Sequence, residues 1–161
     1  PEIAAEELPA DAYRDDVAAN LAVAERWVTE HPDTEFDFFL PPYSILFWDK
    51  VIREGRTEAV FAAIRQAGQT LLQYDNVKFY GYLMDPEIVT NLDNYCDYIH
   101  HSGGVCREIL AMLQREEGRL TEENLEETLA NWREFVVHYD YDQFWDERFW
   151  IQWNAEHAAA P

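Results

Sequence analysis

Apolar residues recur at helical spacing from Val17 through Leu21 and Ala24 to Val28, with Asp15, Asp16, Glu25 and Arg26 mostly off that stripe. This predicts a core-facing helix that starts after the acidic lead-in 1–9 and runs to about residue 30. His31-Pro32-Asp33 ends it, because proline lacks an N–H and disfavours helix in the residue before it. The period then changes. Phe36, Phe38, Phe39 and Leu40 make a nearly continuous apolar run, the pattern of a parallel strand covered on both faces, and Pro41-Pro42 stops it. Ser44 is placed to cap a helix over 45–53, and Thr57 to cap another that runs to about 73 with Val60, Ile64, Ala67 and Leu71 inward. A second strand is predicted over 77–84, rich in aromatic and β-branched residues, with Gly81 where a neighbour approaches closely. Strand, helices and strand form a βαβ unit, whose right-handed crossover makes the two strands parallel. The segments 41–44 and 85–100 then leave the same edge of the sheet, where such sheets bind ligands.

After Gly103-Gly104 a helix over 105–116 turns Val105, Ile109, Met112 and Leu113 inward, and Gly118 ends it. Thr121 is placed to cap a last helix, with Glu122 and Glu123 in the turn where the helix dipole favours anions and Leu125, Leu129, Trp132 and Val136 as its stripe. The segment 139–153 carries Tyr139, Tyr141, Phe144, Trp145, Phe149, Trp150 and Trp153 among acidic residues. Two readings stay open for it, packing on its own domain and a partner-binding patch. Asp140, Asp142, Asp146 and Glu147 disfavour membrane insertion.

Composition narrows the classes. With 161 residues, 48% hydrophobic and 15% aromatic, the chain can bury one sizeable core. The organisation expected is an α/β domain over 1–143 and an aromatic-rich acidic tail over 144–161. The formal charge of −20, from 32 acidic and 12 basic residues, repels phosphate backbones and anionic membranes. No basic cluster offsets it, so nucleic acid is not an expected partner. No apolar run approaches the ~20 residues that span a bilayer, so no membrane contact is expected of this segment. Cys96 and Cys106 match no zinc spacing, and two cysteines do not make a disulfide framework. Asp97, His100, His101, His138, Asp140 and Asp142 are metal-ligand types without compact spacing, so neither a metal nor a cofactor is expected.

The chemistry concentrates in 91–104, where Asp97 precedes His100 by three residues just downstream of a predicted strand. A carboxylate can fix the tautomer of a neighbouring imidazole and stabilise its charge, which is what a general base needs. The competing reading is a loop aspartate that caps the next turn. Ser44 lies at the same edge, as a candidate nucleophile or simply as an N-cap, and His101 is an alternative to His100. Tyr43, Tyr95 and Tyr98 either stack on a sugar ring or wall the loop, and Cys96 is either a reactive thiol or a small buried hydrophobe.

The motifs Phe38-Phe39-Leu40-Pro41-Pro42-Tyr43-Ser44, Asn91-Leu92-Asp93-Asn94-Tyr95, Asp97-Tyr98-Ile99-His100 with Ser102, Leu120-Thr121-Glu122-Glu123-Asn124 and Tyr139-Asp140-Tyr141-Asp142 resemble the C-terminal half of bacterial envelope-associated members of the SGNH/GDSL hydrolase superfamily. These are loosely similar to the proteins that transfer D-alanine to teichoic acids. The resemblance implies a partial three-layer α/β/α sandwich of the flavodoxin-like SGNH type, with parallel strands and C-terminal helices. It implies a serine esterase or acyltransferase acting on an acylated envelope glycan or similar ester, outside the cytoplasm. Asp97 and His100 would be catalytic, and Tyr43, Ser44, Tyr98 and His101 substrate-binding. The family's Gly-Asp-Ser block has no counterpart before Asp97, so the chain is expected to be the C-terminal part of a larger hydrolase, inert alone. The first strand is then expected to be an unpaired edge that pairs with another copy. The alternative function is a noncatalytic α/β binding or assembly module that uses the aromatic tail or the sheet-edge loops.

Overall fold

The structure is a computed structural model and describes residues 6–144. Its elements run in the order α1 (Arg14–Glu30), β1 (Phe36–Phe39), α2 (Ile45–Arg53), α3 (Thr57–Leu71), β2 (Val77–Tyr80), α4 (Pro86–Val89), α5 (Gly103–Gln114), β3 (Arg119–Leu120) and α6 (Leu125–His138). The described residues thus form a mixed α/β fold with six α-helices and a small three-stranded sheet in the order β1-β2-β3. β1 and β2 are parallel, with Phe36 opposite Val77 and Phe39 opposite Tyr80. β3 runs antiparallel to β2. The βαβ expectation holds for the first two strands, and the all-parallel expectation fails at β3.

Two glycines explain how β2 ends and β3 attaches. At Gly81 an added Cβ would sit 2.7 Å from Met84 Cε and 3.2 Å from Leu120 Cδ1, so a side chain there would displace the packing between β2 and β3. The strand stops at Tyr80, four residues short of the predicted end, and a 3₁₀ turn takes Tyr82–Met84. Gly118 has φ +72, a left-handed conformation that suits glycine, and its carbonyl accepts the Gly81 amide at 3.0 Å.

The main core lies on one face of the sheet. Val77 and Phe79 pack there with Val28 of α1, Trp48 and Val51 of α2, Phe61 and Ile64 of α3, and Leu129, Trp132 and Val136 of α6. Trp48 is fully buried, with its ring 5.1 Å from Phe61 and 6.0 Å from Trp132. Tyr80 on the opposite face joins Tyr82 and Val105, Ile109 and Met112 of α5 in a second, smaller cluster. The stripe predicted for α6 is the buried one, Leu125, Leu129, Trp132 and Val136. That of α3 is rotated. Phe61 and Gly68 are buried while Val60 and Ala67 are half-buried, because the helix packs between α1 and α6 and Gly68 meets Leu125.

Three further expectations need correction. β1 is not covered on both faces: Phe36 and Phe38 are half-buried, while Asp37 and Phe39 are exposed. It is an edge strand with a helix layer behind one face only. α3 begins at Thr57 itself, with Arg56 before it, and α6 begins at Leu125. Thr121 does not cap α6 directly but exchanges hydrogen bonds with Asn124, taking the Asn124 amide on Oγ1 and giving its own amide to Asn124 Oδ1 at 2.8 Å. Of the aromatic tail, Phe144 is buried against the main core and Tyr139 and Tyr141 pack half-buried beside it, while 145–161 lie outside the described residues. Among the described residues no helix is long and apolar enough to cross a membrane.

Candidate functional site at the sheet edge

Both parallel strands release their chains at the same edge, and the two segments that follow them are joined. The second is built by side chains bonding to nearby backbone. Asp85 caps α4 through the Glu87 and Ile88 amides, and Asn91 accepts the Asp93 amide at 3.2 Å. Asn94 donates from Nδ2 to the Ile88 carbonyl and accepts the Ser102 amide on its own carbonyl at 2.7 Å. Tyr95 and His101 bridge antiparallel, and the Cys96 amide donates to the His100 carbonyl at 3.0 Å. Residues 95–101 thereby close into a tight hairpin-like loop, and Ser102 Oγ accepts the Val105 amide to start α5.

Asp97 sits at the tip. Its Oδ1 accepts the amides of Ile99 at 2.8 Å and His100 at 2.7 Å, and its Oδ2 lies 2.6 Å from His100 Nδ1. The two amides, His100's first, and then the imidazole hold the carboxyl at about 2, well below its ordinary 3.8. The imidazole is thus oriented by Nδ1 with its other nitrogen left for solvent, and its side chain is 70% exposed.

The loop is tied down onto residues 41–44. The Tyr98 carbonyl accepts both the Ser44 amide at 3.0 Å and the Ser44 hydroxyl at 2.9 Å. The Tyr95 hydroxyl donates to the Pro42 carbonyl at 2.7 Å, and burial pushes its pKa up, so it stays a donor. Lys50 Nζ stands 5.5 Å from the Tyr98 ring centre, within cation–π range.

Of the residues singled out in the sequence, the structure joins Asp97 to His100 and brings Ser44 and Tyr98 together through the backbone. Ser44 is fully buried and makes no side-chain cap to α2. It holds the N-cap position of α2 as expected, but its hydroxyl is given to the Tyr98 carbonyl rather than to a helix amide. Tyr43 is half-buried and packs on Phe47 at 5.0 Å, which makes it part of the wall. Tyr98 is 41% exposed. Cys96 is exposed rather than buried, and its thiol donates to the His100 carbonyl at 3.3 Å. His101 turns to Cys106: its Nδ1 lies 3.6 Å from Cys106 Sγ. No spacing rule signals that pair, because it depends on the bend between the loop and α5. Among the described residues no group of three or more His, Cys, Asp and Glu is placed to hold a metal.

Comparison with known proteins does not sustain the hydrolase resemblance. Two curated proteins match, from Lacticaseibacillus casei and Lacticaseibacillus paracasei, each described as a "UPF0735 ACT domain-containing protein". Each is 24% identical over 90 residues, 56% of this chain and 62% of its own length. The chain therefore spans less than two thirds of the curated relatives it matches. No family model matches, and no solved structure matches. The SGNH/GDSL assignment and the esterase or acyltransferase activity drawn from it are thus overturned, because the related proteins carry another description. The short Asp-x-x-His pattern, one of the motifs behind that resemblance, has a local reason here, since the aspartate accepts the amides two and three residues on.

Proposed function

We propose that this chain is a noncatalytic α/β binding module, built as a partial α/β/α sandwich, that takes a small acid-bearing molecule at the edge formed by 41–44 and 95–101. One observation carries the reading. The chain has two serines, Ser44 and Ser102; the first gives its hydroxyl to the Tyr98 carbonyl and the second takes the Val105 amide. Among the described residues both serine hydroxyl oxygens are thus engaged with backbone away from the imidazole of His100, whose outward side can still contact a ligand. Lys50 beside Tyr98, ion-paired with Glu54 at 3.3 Å, brings an ammonium to this rim of an otherwise acidic chain. The relatives' printed description names an ACT domain and no hydrolase activity, which favours a module over an enzyme.

The test is a thermal-shift screen of free amino acids, hydroxy acids and mononucleotides against wild type and His100→Ala, run beside turnover of p-nitrophenyl acetate. Binding of an acid-bearing compound raises the wild-type midpoint and not that of the variant. Ester turnover above the uncatalysed rate that His100→Ala abolishes would overturn the reading, as would a screen in which no compound discriminates the two proteins.

A further inference from the structure

The free edge of β1 is a different surface from the 41–44 and 95–101 loops. The amides of Phe36 and Leu40 donate to the Asn76 and Tyr80 carbonyls of the β2 segment, both at 2.9 Å. In a parallel ladder alternate residues bond to the same neighbour, so the N–H and C=O groups of Asp37 and Phe39 turn away from β2. No third strand meets them among the described residues, because β1 ends the sheet order. The surroundings of this edge are apolar on one face and acidic on the other. Phe36 and Phe38 stack along the core face at 6.1 Å and are half-buried. Just past them Leu40 joins Val17 and Leu21 of α1 and Ile64 of α3 around a groove of about 320 Å³. On the opposite face Phe39 is 41% exposed and Asp37 stands beside Lys78, whose ammonium is already held by Glu35 at 3.0 Å and Glu116 at 2.6 Å.

We propose that β1 accepts an extended segment of a basic partner protein by strand addition, its residues alternating apolar and cationic. Main-chain bonds to Asp37 and Phe39 supply the affinity, and alternate side chains supply the selection. Apolar residues of the added strand lie beside Phe36 and Phe38, and Lys or Arg residues lie beside Asp37 with their stems along Phe39. Charge chooses this occupant over a second copy of the chain. A copy paired edge to edge brings the Glu35 and Asp37 carboxylates of both chains onto one face, where like charges disfavour pairing, and it joins two bodies of charge −20 each. A basic segment meets both features favourably.

The experiment uses the whole chain and two fluorescein-labelled hexapeptides, one alternating valine with lysine and one alternating valine with glutamate, read by fluorescence anisotropy at physiological ionic strength. The valine-lysine peptide binds and the valine-glutamate peptide does not. Phe39→Pro removes an outward N–H without touching the ladder to β2, and it weakens binding about tenfold. Asp37→Lys, which leaves the backbone intact, weakens it by a similar factor and keeps the test open if the proline variant does not fold. Amide exchange slows at Asp37 and Phe39 when the peptide is added. Absence of binding, equal affinity for wild type and both variants, or a wild-type dimer that Phe39→Pro dissociates would each overturn the proposal. The second of these marks diffuse attraction to an acidic surface, and the third marks a second copy as the occupant.

Discussion

Trp48 has no exposed surface and is ringed by Phe47, Phe61 and Trp132, whereas the loop 95–101 buries little and is held by hydrogen bonds from its own side chains to backbone. The core draws on apolar area, which is non-directional and tolerant of detail. The loop draws on directed bonds, each of which uses up a group that could otherwise do chemistry. Asp97, Ser44, Tyr95 and Cys96 are all committed in this way, and His100 is the residue whose ring still reaches solvent with one nitrogen free. The hydroxyls of Ser44 and Tyr95 are among the groups this scaffold uses.

Trp48→Ala tests the core side of the contrast most severely. Removing a fully buried indole should cost about 3–5 kcal/mol, read as a drop in the denaturation midpoint without a change in slope. A cost below about 1 kcal/mol would mean that the core collapses around the gap as freely as a loop.

Ser44→Ala tests the joint between the regions. Tyr98 keeps one donor, the Ser44 amide, and loses the hydroxyl, so the expected loss is about 1 kcal/mol. The unaltered strand core should keep its exchange protection. A loss as large as that of Trp48→Ala would show that the loop is part of the core's cooperative unit.

Acid sharpens the same boundary by a smaller margin. Asp97 is held at about 2 in the folded chain against an ordinary 3.8, so the stabilisation it brings is fully present above about pH 4 and fades as pH falls through 2. Glu116 and Glu117, also held low by Lys78 and Arg115 respectively, add to any acid loss in the wild type. The readout is therefore a difference: between pH 4 and 2 Asp97→Asn should lose less stability than wild type, measured by thermal midpoints. Parallel curves would remove Asp97 from the account.

The two regions also differed in how far they could be read from the residues alone. Helical stripes such as Leu125, Leu129, Trp132 and Val136 were legible because burial repeats with the helix period. β3 was not, since Arg119 and Leu120 pair through a turn set by Gly118 and too short to show alternation. The extra length given to β2 came from apolar residues that continue past Gly81 into a 3₁₀ turn. In the loop, the closeness of Asp97 and His100 was foreseen from their spacing, but its meaning was not. Asp-x-x-His arises as readily from a carboxylate capping a turn as from a catalytic pair, and a likeness assembled from such motifs led to a hydrolase that the related proteins do not support. The burial of Ser44 and the turn of His101 toward Cys106 depend on how two distant segments dock, which no local pattern encodes.

Amide hydrogen exchange at Ile99 and His100, compared between wild type and Asp97→Ala, tests most directly whether this carboxylate exists to hold the loop. The account predicts that both amides lose protection in the variant while those of the strand residues Val77 and Phe79 keep theirs. Unchanged protection at Ile99 and His100 would contradict it.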